Sequence, residues 1–174
     1  MARKSKEFQQ LFYPDSVQQQ NPSAITPQRQ KELASFQLFK QEIENDPSYE
    51  GAVFVDHPKN IVKMSKVLME YVEPFLEDTE TYQQRSNIFK IAVTAWNLAL
   101  VSEEERQKAF NQTFSDNSSS PKDIKLEKEI RKLMKKLIKR KLIFFAEEER
   151  FVTDYKLTEN EGRMHLAVAS SLSM

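Results

Sequence analysis

PKDIKLEKEIRKLMKKLIKRKLIFF, residues 121–145, keeps one period over several turns. Leu126, Ile130, Leu133, Met134, Leu137, Ile138 and Leu142 recur at three-and-four spacing, which is one face of a helix turning about every 3.6 residues. The spacing predicts a helix from near Pro121 to about Phe145 with that face in a core. The polar positions are unusual: Lys122 to Lys141 holds ten Lys or Arg against three acids, Asp123, Glu127 and Glu129. At about 100° per residue, Lys125, Lys128, Lys132, Lys135, Lys136 and Lys139 fall opposite the apolar face. One side of the helix is oily and the other cationic.

Beyond this helix the period changes to two. Phe151, Thr153, Tyr155 and Leu157 alternate with Val152, Asp154 and Lys156, and Met164, Leu166 and Val168 alternate with His165 and Ala167. This predicts a β-hairpin over about 150–169. Bringing the apolar alternation of both strands to one face places Leu157 opposite Gly162, with Thr158 to Glu161 as the loop and Asp154 opposite His165. Two strands alone are marginal in water, so the hairpin is expected to pack on helices.

Before the basic helix the signals are helical. Ser115 to Ser120 reads as a loop, and Ser102 with Glu105 reads as a capping box that starts a helix at Glu103 and ends it near Phe114. A third helix, about Thr81 to Leu100, presents Ile88, Ala92, Ala95, Trp96 and Ala99, small residues that let a neighbour approach while Trp96 fills the space beside them. A second runs from Pro58 with Ile61, Met64, Leu68, Tyr71, Val72 and Phe75 on one side, and Pro74 predicts a kink or an early end. The first starts at Thr26-Pro27, carries Leu33, Phe36, Phe39 and Ile43, and stops at Asp46-Pro47. Gly51 to Val55 reads as an edge strand or a buried loop. Residues 1–25 show no period and read as an N-terminal arm with one apolar knot, Leu11-Phe12-Tyr13. The expected fold is α+β and predominantly α-helical: about five helices with a C-terminal β-hairpin packed on them, residues 26–174 forming one domain after the arm.

Composition narrows the chemistry. Only Gly51 and Gly162 are glycine, and no Gly-rich phosphate cradle occurs, so no nucleotide cofactor is expected. There is no cysteine, and His57 and His165 are the only histidines, so neither a disulfide framework nor a metal site is expected. The first ten residues carry no apolar run, and Ile91 to Val101, broken by Thr94 and Asn97, is too short to span a bilayer. A cytoplasmic protein without a membrane partner is expected.

The formal net charge is zero, so binding to a polyanion has to come from a local patch. Lys128, Lys132, Lys135, Lys136 and Lys139 are the candidate binding residues. They suit an acidic protein surface or the phosphate backbone of a nucleic acid, or they form a solvated face balanced by the acids of Glu70 to Glu80, Glu103 to Glu105 and Glu147 to Glu149. The expected function is a non-enzymatic interaction or regulatory module that binds a macromolecular partner through the basic helix, the N-terminal arm or both; nucleic-acid binding is the alternative. An enzyme using Asp154 and His165 is a distant third, because no nucleophile is placed beside them. Leu126, Ile130, Leu133 and Leu137 would also serve a dimer seam, interrupted at Arg140, which leaves homo-oligomer formation open. Trp96 is expected in the core with its indole N–H on a carbonyl or water, and Asn97 in a helix-surface or interhelical hydrogen bond.

Overall fold

The computed structural model describes residues 27–53, 61–114, 121–160 and 163–172. The N-terminal arm, the Thr26 cap, Phe54, Val55, His57, Pro58, the Ser115 to Ser120 loop and Gly162 lie outside these residues. Among the described residues the chain forms five α-helices, α1 (Pro27–Glu44), α2 (Met64–Leu76), α3 (Tyr82–Leu100), α4 (Glu103–Thr113) and α5 (Pro121–Phe144). A two-stranded hairpin follows, β1 (Val152–Asn160) and β2 (Arg163–Ser170). The predominantly helical α+β class expected from periodicity is the observed one. The described backbone clusters into two compact units, one from residues 27–53, 61–65, 154–160 and 163–168, the other from 66–114, 121–153 and 169–172.

In the first unit, Phe39, Ile43, Met64, Leu157 and Met164 are buried. The apolar face expected on α1 is only half used: Phe39 and Ile43 are covered, whereas Leu33 and Phe36 are exposed. Asp46 ends the helix by accepting from Ser48 N at 2.8 Å, which caps a short 3-10 turn at Pro47–Tyr49 and holds the carboxyl below its ordinary value. Gly51 follows at φ 83°, a left-handed conformation that glycine adopts without strain. Gly51 to Val53 are therefore turn and exposed coil, with no strand. Lys156 of β1 reaches Glu42 of α1 at 2.7 Å.

The second unit is built on α3. Ala92, Ala95 and Ala99 are buried, and with no bulk beyond Cβ they let α5 pack on this helix. The N-termini of α3 and α4 carry reciprocal caps. Thr81 accepts from Gln84 N while Gln84 Oε1 accepts from Thr81 N, and Ser102 and Glu105 repeat the arrangement expected of them.

α2 begins at Met64, not near Pro58 as expected, so Ile61 to Lys63 precede it as coil; Pro74 lies inside the helix, which ends two residues later at Leu76. Proline has no N–H to offer the carbonyl of Glu70, four residues earlier. Arg140 of α5 answers this deficit, donating from Nη2 to Glu70 O at 3.2 Å and from Nε to Tyr71 O at 3.0 Å. A kink or an early end at Pro74 is what the sequence predicts; the helix instead continues through Phe75 to Leu76, and the arginine that makes the internal proline tolerable is not legible there.

Trp96 is fully buried, and its Nε1 donates to Arg150 O at 2.9 Å, as its amphipathic ring requires. The next residue, Asn97, donates from Nδ2 to Val152 O at 2.8 Å and accepts from Val152 N at 3.0 Å. Its side-chain amide thus plays the part of a neighbouring strand at the first residue of β1, rather than joining two helices. Arg150 is held by Glu148 at 2.6 Å.

The hairpin register differs from the expected one. Thr158, Glu159 and Asn160 belong to β1, so they do not form a loop, and β2 begins at Arg163. At the open end, Ser171 N donates to Phe151 O and Phe151 N donates to Ser171 Oγ, both at 2.8 Å, where the expected register put Val168. Alternation specifies faces only when one face is uniformly apolar. Here Val152 and Leu157, of opposite parity, are both buried, so pattern alone did not fix the pairing.

Replacing Asn97 by Ala leaves the N–H and C=O of Val152 without their partner. A loss of about 1–3 kcal/mol is expected, read as a lower urea midpoint with an unchanged denaturant slope.

Candidate functional site

α5 owes its position to Met134, Leu137, Ile138 and Lys141, all buried on the side that packs on α3. The opposite side must then face outward. Lys128, Lys132, Lys135, Lys136 and Lys139 are all exposed there, as the helical spacing requires, and together with Arg131 they line one open depression. From Lys128 to Lys139 the row runs about 16 Å along the helix at 1.5 Å per residue. Among the described residues, none of the five is in an ion pair. The acidic stretches do not neutralise this face by direct contact. Lys135 additionally rests its Nζ 5.5 Å from the ring centre of Phe110 in α4.

Not every base on α5 belongs to this face. Arg131 pairs with Glu127 at 2.7 Å, donates to Phe114 O at 2.8 Å and lies 5.0 Å from the Phe114 ring centre, latching the end of α4 onto α5. Arg140 serves α2, as described above. Lys141 is only 2% exposed. Its Nζ donates to Phe145 O at 2.8 Å and lies 4.9 Å from the Trp96 ring centre. The helix C-terminus and an aromatic face thus take the place of water around the ammonium. The sequence signal for Lys141 was its place four residues after Leu137 and three after Ile138, on the apolar side of the wheel.

Lys141 borders an aromatic cluster. Tyr71, Trp96 and Phe145 meet edge to face, with ring centres 5.1, 5.7 and 5.8 Å apart. The Tyr71 hydroxyl is buried with no hydrogen-bond partner among the described residues, and burial pushes its proton affinity well above that of an ordinary tyrosine. Burial lowers the Lys141 pKa, opposed by the nearby carboxylates of Glu148 and Glu149. The Glu148 carboxyl is held below its ordinary value chiefly by the hydrogen bond from Arg150.

The structure does not bring Asp154 and His165 together. The shifted register moves them out of opposition, and the Asp154 carboxylate accepts from Tyr155 N at 2.7 Å. Nor is the seam through Leu126, Ile130, Leu133 and Leu137 open along its length, because Leu137 is fully buried within its own chain. No helix among the described residues is long and apolar enough to cross a membrane. Comparison with known proteins finds no matching family model, no similar curated protein and no similar solved structure.

Lys141 gives the fold a pH signature. Its folded pKa lies below the ordinary value, so in the window between the two the unfolded chain binds more protons, and stability rises with pH there. Urea midpoints measured as pH rises toward the ordinary lysine value of about 10.4 should therefore show wild type gaining on Lys141→Met, because methionine carries no buried charge to relieve.

Proposed function

We infer that this chain is a non-enzymatic interaction module that uses the cationic face of α5 to engage an acidic partner protein in a cytoplasmic setting. The observation that carries this reading is the row of five exposed lysines with no carboxylate partner among the described residues, on a helix whose other side is committed to the core. Holding the charges on a rigid, packed helix lowers the entropy lost when they meet a complementary surface. The absence of cysteine fits a reducing compartment.

Two features favour protein over nucleic acid. The five exposed side chains of the face are all lysine, and the arginine beside them, Arg131, is already engaged by Glu127 and Phe114, whereas readout and stacking on bases rely on arginine and aromatic groups. At its C-terminal end the face continues into Leu142 and Ile143, 43% and 57% exposed, which a phosphate backbone has no use for. Nucleic-acid binding is the second reading, favoured by the unbroken line of lysines, whose charge would track a phosphate strand.

Fluorescence anisotropy at low and near-physiological salt separates the two. A labelled glutamate-rich peptide is expected to bind wild type and to bind Lys132→Glu/Lys136→Glu about tenfold more weakly. Binding instead to generic DNA or RNA, with a salt slope that flattens by about one for each lysine removed, would establish the second reading. Binding to none of these at low salt would sink both.

A further inference from the structure

Beside the cationic face, α4 and α5 border a groove of about 410 Å³. The two helices run in opposite directions: Phe114, at the end of α4, sits by Arg131, while Glu103, at its start, shares the groove with Leu142 and Ile143. Phe110 and Ile138, both buried, form the floor. Leu142 and Ile143 stand exposed at one end, and Lys135 and Lys139 line the α5 rim. The wall residues recur at three-and-four spacing on each helix, so each helix presents to the groove a ridge about 10 Å long, the kind of surface into which a third helix packs.

We propose that this groove seats an amphipathic helix of a partner protein, with apolar side chains against Phe110, Ile138, Leu142 and Ile143 and acidic side chains facing Lys135 and Lys139. The proposal rests on the reading of α5 as a partner-binding helix and narrows the partner to a helical one. Charge selects the occupant. Glu103 is answered within its own helix by Arg106 at 2.8 Å, which leaves the lysine rim without an acidic partner among the described residues, and Lys132 and Lys136 extend the same positive field. The chain's own N-terminal residues have the wrong sign for this site, with Arg3, Lys4 and Lys6 against Glu7 and Asp15. An incoming helix with apolar residues at i, i+3, i+4 and i+7 and acids along one flank matches both the trough and the rim.

The test uses the full chain and a display library of peptides of about five turns built on that pattern, with labelled copies of the selected peptides titrated by anisotropy. A scrambled peptide of equal composition is the control. Ile143→Asp changes a side chain exposed to solvent, and circular dichroism checks that the variant keeps its fold. The expected result is a patterned peptide that binds wild type and loses about thirtyfold or more in affinity when scrambled or when offered Ile143→Asp. Peptides that ignore Ile143→Asp but lose binding to Lys132→Glu/Lys136→Glu would overturn the groove and leave the cationic-face reading standing. A library that yields no binder dependent on Ile143 overturns the proposal. So does sedimentation showing self-association that Ile143→Asp abolishes, since the occupant would then be a second copy, and so does duplex RNA binding that needs Ile143.

Discussion

Two consecutive side chains on α3 organise the larger unit. Trp96 donates to the backbone at Arg150 and Asn97 pairs with both polar backbone groups of Val152. Backbone groups leaving a helix for a strand are costly to bury without partners. Here the core helix supplies those partners itself, while Trp96 fills the space between α2 and α5 by meeting Tyr71 and Phe145 edge to face. The alanines on the same side of α3 let α5 approach. The orientation of α5, and so of its lysines, follows from that contact.

The basic residues of α5 divide by geometry rather than by type. Arg131, Arg140 and Lys141 each meet carbonyl oxygens or aromatic faces inside the unit, where they close helix ends or compensate Pro74. Arginine is suited to this use because its planar fork reaches two acceptors at once, as Arg140 does with the carbonyls of Glu70 and Tyr71. The exposed ones among the described side chains, Lys125 and the row of five, are all lysine, compact point charges on flexible stems. A helix that looks uniformly basic in sequence is therefore two devices, an internal set of backbone caps and an external cationic row. The apolar positions at its C-terminal end extend that row into the α4–α5 groove, which gives the surface both charge and shape.

Local rules determined much of this protein from the sequence alone. Three-and-four spacing announced five helices, though it began α2 too early, the Ser102 and Glu105 pair placed the start of α4, and the wheel of α5 put the five lysines on one side. These signals depend on neighbours within a few residues, so they survive without knowledge of the fold. Tertiary structure alone decided what depends on partners distant in sequence. Arg140 meets carbonyls seventy residues away, Asn97 completes a strand end, and β1 and β2 pair in a register that separates Asp154 from His165. Lys141 is buried because an aromatic face and a helix end happen to meet there, and the groove exists only where α4 turns back along α5. The physical reason is the same in each case: a side chain's type fixes what it can bond to, but only the packed chain fixes which groups come within reach.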